Sequence, residues 1–204
     1  MQIQCFKTTP YQLGHEKFLS VDQVIPIPET EEFMIRISAK EQEQQTVDRS
    51  KGIRLERRRA FWSQLIETLP KAQITLFANI SPSTNHWIST GSGISGIIYS
   101  LIFGRDSAGI EFYLKRDQGE DNKKLFDYLL THQDQIEERF GAALLWERLD
   151  AKKACRIHYI KEFDSYNQEI WPDIIAWMID RIPRMEHAFK PEMDNLAAML
   201  KRSY

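Results

Sequence analysis

The spacing of apolar residues changes several times along this chain, and each change marks an element. Residues 1–40 keep no sustained period. There "QVIPIPETEE" joins two prolines to a polar run and reads as a turn or linker, while "FMIRISA" alternates as a short strand does. From residue 41 the text is rich in straight-chain helix formers. Phe61, Trp62, Leu65, Ile66 and Leu69 fall on one helical face, and Pro70 follows its end. Gly52 is expected to loosen the middle of this helix. Its first half has almost no apolar residues and is expected to be exposed.

Strand text comes next. "QITLFAN" alternates, "HWIST" is short and β-prone, "GIIYSLIF" is nearly all apolar, and "GIEFYLKR" alternates Ile110, Phe112 and Leu114 against Glu111, Tyr113 and Lys115. The turn "RDSAG" joins the last two as a hairpin. A helix is predicted from an N-cap at Asp121 to a stop at Gly141, burying Leu125, Phe126, Leu129, Leu130, Ile136 and Phe140. "ALLWERL" and "ACRIHYIKE" read as strands joined at "DAKK". Trp171, Ile174, Ile175, Met178, Ile182, Met185 and Phe189 then keep a helical period, with Pro172 in the first turn. Pro183 is expected to kink or split that helix, and Pro191 to end it. A last short helix carries Met193, Leu196, Ala197 and Leu200. The order is α-β-β-β-β-α-β-β-α. It predicts an α+β domain over 41–204, a mainly antiparallel sheet flanked by helices, after a partly extended strand and linker segment over 1–40. That segment is too small for its own core and has to lean on something.

Composition removes some functions. A length of 204 residues suits one domain, or one domain with an appendage. The net charge of −2 supplies no global basic field, so only a local patch would attract nucleic acid. Cys5 and Cys155 are far apart, with no zinc spacing and no implied disulfide. The N-terminus has no apolar leader, and no run reaches about eighteen apolar residues. A soluble, cytoplasmic, prokaryotic protein without a membrane partner is expected.

The string "GSGISG" places Gly91, Gly93 and Gly96 in the G-x-G-x-x-G spacing. A dinucleotide site needs a helix after the glycines, with its N-terminus at the pyrophosphate. Here "IIYSLIF" follows, which is strand text, and the acidic candidate, Glu111, lies in a hairpin strand. A kinase glycine loop does lie between strands, but V-A-I-K, H-R-D and D-F-G are all missing. No nucleotide cofactor is expected. Two readings remain: a turn in which glycine allows positive φ or close backbone approach, and a set of N–H groups that cups an anion.

Three further patterns concern chemistry. Arg49, Lys51, Arg54, Arg57, Arg58 and Arg59 lie in one helical stretch. They form either a phosphate-binding patch or a solvated flank paired with Glu41, Glu43, Asp48 and Glu56. The histidines, at 15, 86, 132, 158 and 187, keep no metal-ligand spacing, and no G-x-S-x-G is present, so no metal site or serine nucleophile is expected. Finally, Glu111, Lys115, Glu147, Arg148, Arg156 and His158 interrupt apolar strand text. The element order is compatible with a restriction-type nuclease core, in which strand carboxylates and a lysine hold Mg²⁺ and activate water. Asp106, Glu111 and Lys115 are the catalytic candidates, although the lysine is not two residues after the acid. The competing reading is a polar open face of an antiparallel sheet.

Taken in order, "FANISPSTNHWISTGSGISGIIYSLIFGRDSAGIEFYLKR", "NKKLFDYLLTHQDQIEERFG", "LLWERLDAKKACRI" and "WPDIIAWMIDRIPRMEHAF" resemble one prokaryotic family, the domain of unknown function number 4268. The resemblance spans residues 55 to 190. It implies a domain that often follows a restriction-nuclease-like domain, and so work around nucleic acid, in host defence. Asn79, Ser81, Trp87, Gly91, Gly93 and Gly96 match its most recognisable segment. Only residues 1–40 precede the helix here, so a complete upstream nuclease is not expected within this chain. The leading expectation is a non-catalytic module linked to nucleic acid, contacting DNA or RNA through Arg54, Arg57, Arg58 and the three glycines, beside a nuclease partner. A metal-dependent nuclease and a protein-interaction domain docking through residues 1–40 are the alternatives.

Overall fold

The structure, a computed structural model, describes residues 5–25 and 28–201. It is an α+β protein, and its chain divides into two compact units, Met1–Ile53 and Arg54–Tyr204. In the first unit β1 (Cys5–Leu13) and β2 (Glu16–Ile25) pair as an antiparallel hairpin. Phe6, Tyr11, Phe18 and Leu19 remain exposed on it. An isolated two-stranded hairpin has no core to bury such groups.

Helix α1 (Pro28–Thr68) begins in the first unit and ends in the second. It contains "FMIRISA", so the strand expected there is helix. Seven alternating residues are outweighed by the helix formers on both sides. The expected linker shrinks as well: β2 runs to Ile25 and α1 starts at Pro28, leaving Pro26 and Ile27, which lie outside the described residues.

The second unit holds a five-stranded antiparallel sheet in the order β3-β4-β5-β7-β6. Its strands are β3 (Trp87–Gly91), β4 (Ile97–Phe103), β5 (Ser107–Leu114), β6 (Leu145–Glu147) and β7 (Cys155–Glu162). Between β5 and β6 lie α2 (Gly119–Leu130) and α3 (Gln133–Phe140); α4 (Trp171–Phe189) and α5 (Met193–Lys201) follow β7. One sheet face presents Tyr99, Leu101, Phe103, Ile110, Phe112, Leu114 and Ile157 to the core. Aromatic stacking anchors the helices there. The Phe61 ring of α1 lies 3.7 Å from that of Phe103, and the Phe189 ring of α4 lies 4.0 Å from that of Phe112, both nearly parallel.

"QITLFAN" is not a strand. Residues 71–80 form successive turns, with the Ile74 amide donating to Leu69 and that of Ile80 to Phe77. The buried positions are Ile74 and Phe77, three apart, so the two-residue alternation does not describe their environment. The helix expected from Asp121 is two helices broken at Thr131 and His132, and Leu130 at the break is exposed. Gln118, not Asp121, is its N-cap residue. Gly141 does end α3, at φ +85°. Helix α4 continues through Pro183 without splitting, because the buried neighbours Ile182 and Met185 hold it to the sheet across the missing hydrogen bond.

The glycine string is a hairpin loop between β3 and β4, as strand text after it requires. Gly91 ends β3, and Gly93 and Gly96 have φ of +93° and +79°. At Gly96 a Cβ would lie 2.5 Å from Cγ and 3.0 Å from Cα of Arg116, whereas at Gly91 it would meet nothing within 4 Å. Gly96→Ala should therefore destabilise the protein by about 2 kcal/mol, through left-handed strain and crowding against Arg116, and Gly91→Ala by less than about 0.5 kcal/mol. Urea denaturation of the two variants checks this; equal effects would show that the loop is not held against Arg116.

Candidate functional site

Strand alternation leaves the second sheet face to a different set of side chains. Cross-strand register aligns them in rows. The middle row reads Ser89, Ser100, Glu111, His158, Leu145 from β3 to β6. One side of it is Gly91, Ile98, Tyr113, Arg156, Glu147, and the other is Trp87, Ile102, Gly109, Ile160. A cleft of about 400 Å³ lies on this face, lined by His86, Trp87, Ser89, Ile98, Ser100, Ile102, Glu111, Tyr113, Lys115, Arg156 and Ile160. Its floor is low where the row residues are small. There Ser89 and Ser100 share a hydrogen bond of 2.9 Å.

Glu111 sits on the central strand with its side chain only 12% exposed. Its Oε1 accepts from Arg156 Nη1 at 3.4 Å, and Oε2 has no partner among the described residues. Burial raises its pKa above the ordinary 4.5, the Arg156 charge and hydrogen bond oppose that rise, and Glu147 adds to it. Arg156 also donates to Glu147, whose carboxyl is held below its ordinary pKa chiefly by that bond. His158 is buried beside them. Its Nε2 lies 3.0 Å from Glu147 Oε2 but is not aligned for a hydrogen bond, and Nδ1 has no hydrogen bond either. Burial, then Arg156, lowers the His158 pKa, so the ring is neutral at pH 7.

At the β3 end of the cleft Trp87 is 43% exposed. The His86 ring stands edge-on to it at 4.6 Å. Arg58 of α1 is close enough to His86 to lower its pKa, as a second cause after burial. Arg57, one residue earlier, lies over the Tyr166 ring at 4.1 Å, with Arg105 over the same ring at 5.5 Å. Arg54 is exposed on α1. No ion pair joins Arg54, Arg57, Arg58 or Lys115 to a carboxylate among the described residues.

A second polar cleft of about 400 Å³ adjoins the first through Lys115. It is lined by Ser95, Gly96, Lys115, Arg116, Asp117 and Gln118. Arg116 is anchored there, donating to Ser95 O at 2.7 Å and to Asp121 at 3.4 Å.

These placements sort the residues singled out in the sequence. Glu111 and Lys115 share the sheet-face cleft. Asp106 does not join them: it lies in the β4–β5 turn, 85% exposed beside Arg105, while Lys115 follows the far end of β5. At about 3.3 Å per residue the strand separates these two far beyond the reach of one shared metal ion. Among the described residues no three His, Cys, Asp or Glu side chains are grouped to hold a metal. Trp87 reaches the cleft, and Asn79 and Ser81 lie exposed in the preceding connection. Gly96 reaches only the second cleft. His86, Ser89 and Ser100 carried no sequence signal as site residues, because nothing local distinguishes a cleft serine from a surface one.

The family model described as domain of unknown function DUF4268 matches residues 57–192, which contain the whole sheet. The chain belongs to that family. No curated protein matches it. The DUF4268 segment thus carries both sheet faces, the cleft and the arginines Arg57 and Arg58. No helix among the described residues is long and apolar enough to cross a membrane.

Glu111 should weaken this DUF4268 domain at neutral pH. Its proton is held more tightly in the folded chain, so its contribution favours folding below pH 4.5 and is lost as pH rises through the folded pKa. Glu111→Gln should therefore gain stability relative to the parent as pH rises from about 4 to 7. Denaturant unfolding of both proteins across that range tests the sign. A constant difference would mean that the carboxyl does not feel its burial.

Proposed function

We propose that this DUF4268 domain is a non-catalytic module that binds single-stranded nucleic acid on the open face of its sheet, in the service of a nuclease or defence system. The observation that carries the reading is that His86, Trp87 and Lys115 line one cleft, with Arg58 within electrostatic reach of His86. A half-exposed indole on a β-sheet offers a base a stacking surface, and flanking cations with no carboxylate partner offer phosphates their counter-charge. Duplex readout would need an element shaped to enter a groove; a flat face with short side chains suits unstacked bases better. The separation of Asp106 from Glu111 and Lys115 favours binding over metal-assisted cleavage. The nuclease or defence setting rests on the family context alone.

The arginine run acts through individual residues in this reading. Arg58 serves the cleft, while Arg57 and Arg105 around Tyr166 extend the cationic surface. Only a few charges take part, which agrees with the slightly acidic chain.

Binding of a short labelled oligouridine, followed by fluorescence anisotropy, tests the proposal. With Arg57, Arg58 and Lys115 in contact, log Kd should rise with log salt at a slope of about 2, and Arg58→Ala or Lys115→Ala should each lower that slope by about 0.7. Trp87→Ala should weaken binding by about 1–3 kcal/mol. Binding that ignores both salt and these variants would overturn the reading, as would capture of a protein partner on the same face with no affinity for any strand.

A further inference from the structure

We infer that the sheet-face cleft holds one guanine base, with the Glu111 carboxylate accepting from the N1–H and N2–H groups of its Watson–Crick edge. This rests on the reading of the face as a nucleic-acid surface and names what that surface selects.

Glu111 is the one carboxylate that lines the cleft, and it is placed as a fixed acceptor. Its side chain is mostly buried, Arg156 steadies Oε1 from one side, and Oε2 has no partner among the described residues. Oε2 thus keeps open acceptor positions on a carboxylate the fold already holds in place, and a ligand bringing N–H groups would add charge-assisted hydrogen bonds there. Ser89 and Ser100 bond to each other, and neither makes a hydrogen bond to Glu111 among the described residues.

The space around Glu111 selects the shape of the donor. Ile98, Ile102, Ile160, Tyr113 and Trp87 line the cleft, and between them its lining includes the short side chains of Ser89 and Ser100. A flat ring gains contact with these apolar walls, whereas a flexible ammonium group gains none.

The edge chemistry then separates the bases. An ionised carboxylate only accepts. Guanine presents two adjacent N–H donors on its Watson–Crick edge. Adenine and cytosine set an acceptor nitrogen beside their amino group, and uracil flanks its single N–H with carbonyl oxygens, so each turns at least one lone pair toward Glu111. Lys115 in the cleft, and Arg58 near His86, are left for the phosphates. The same base chemistry is found in a free guanine nucleotide and in a strand.

The test uses the full chain at about pH 8, well above the ordinary carboxylate range. Short oligouridines with a single central guanosine, inosine or adenosine are compared with the all-uridine strand by anisotropy. Guanosine 5′-monophosphate and adenosine 5′-monophosphate are titrated by calorimetry. The guanosine strand should bind roughly ten- to hundredfold more tightly than the uridine and adenosine strands. Inosine, which lacks the 2-amino group, should fall between them. Glu111→Gln should bring the guanosine strand to the affinity of the uridine strand measured on the same variant; should it not fold, Glu111→Asp, which withdraws the charge from the cleft, should reduce the preference. Equal affinity for all strands would overturn the guanine assignment and leave the binding function standing. If no strand binds, the binding function fails, and the mononucleotides decide alone: preference for the guanine nucleotide keeps the assignment with a free nucleotide as ligand, and no preference ends it.

Discussion

The register of β5 between β4 and β7 is the constraint on which the rest depends. Along this one strand Ile110, Phe112 and Leu114 enter the core, while Glu111 and Tyr113 enter the cleft. A slip of one residue would drive a carboxylate among Phe189, Tyr99 and Ile157 and turn three apolar side chains outward. The stack of Phe112 on Phe189 and that of Phe61 on Phe103 fix the core side of the sheet to α4 and α1. Because every strand alternates, fixing one face in register also assembles the other. The row Ser89, Ser100, Glu111, His158 is a consequence of the same pairing that builds the core.

The two faces differ in how well their polar atoms are satisfied. Several buried polar groups of the unit are fully engaged. Lys123 Nζ donates to the carbonyls of Leu149 and Ala154 at 2.9 and 3.1 Å, and Glu192 accepts from Tyr128 and Arg139 at 2.9 Å each. On the sheet face Glu111 keeps an oxygen without a partner, and both ring nitrogens of His158 lack a hydrogen bond. Groups that disfavour folding where they stand are characteristic of surfaces shaped for a ligand. The helices also hold buried atoms without a hydrogen bond, the Nε atoms of Arg57, Arg139 and Arg181, so what sets this face apart is that Glu111 opens onto a cleft.

The glycine string takes a modest place in this picture. Its residues turn the chain from β3 into β4, and Gly96 lets the loop lie against Arg116. Arg116 in turn binds Ser95 and Asp121, tying the hairpin loop to the start of α2. The loop thereby holds the edge of the sheet beside Lys115 and serves the cleft by positioning it.

Much of the fold was legible in the chain, and the failures have physical causes. The strands β4, β5 and β7 and the helix α4 were readable because long runs commit to one period. "FMIRISA" and "QITLFAN" were misread because seven residues can satisfy alternation by chance, while their neighbours or their turns decide otherwise. For the candidate site, Glu111, Lys115 and Trp87 could be singled out as charged or aromatic residues in or beside strand text. Their convergence with Ser100, His86 and Arg58 could not, since it arises from pairing among strands distant in sequence. By itself the sequence determined where the hairpins of the five-stranded sheet turn, though not the hairpin of β1 and β2, and that no broad basic field exists, since composition and local spacing are properties of the chain. Only the tertiary structure decided which carboxylate is buried, which cations lack partners and that Asp106 stands apart, because burial and distance depend on packing between segments that local text does not connect.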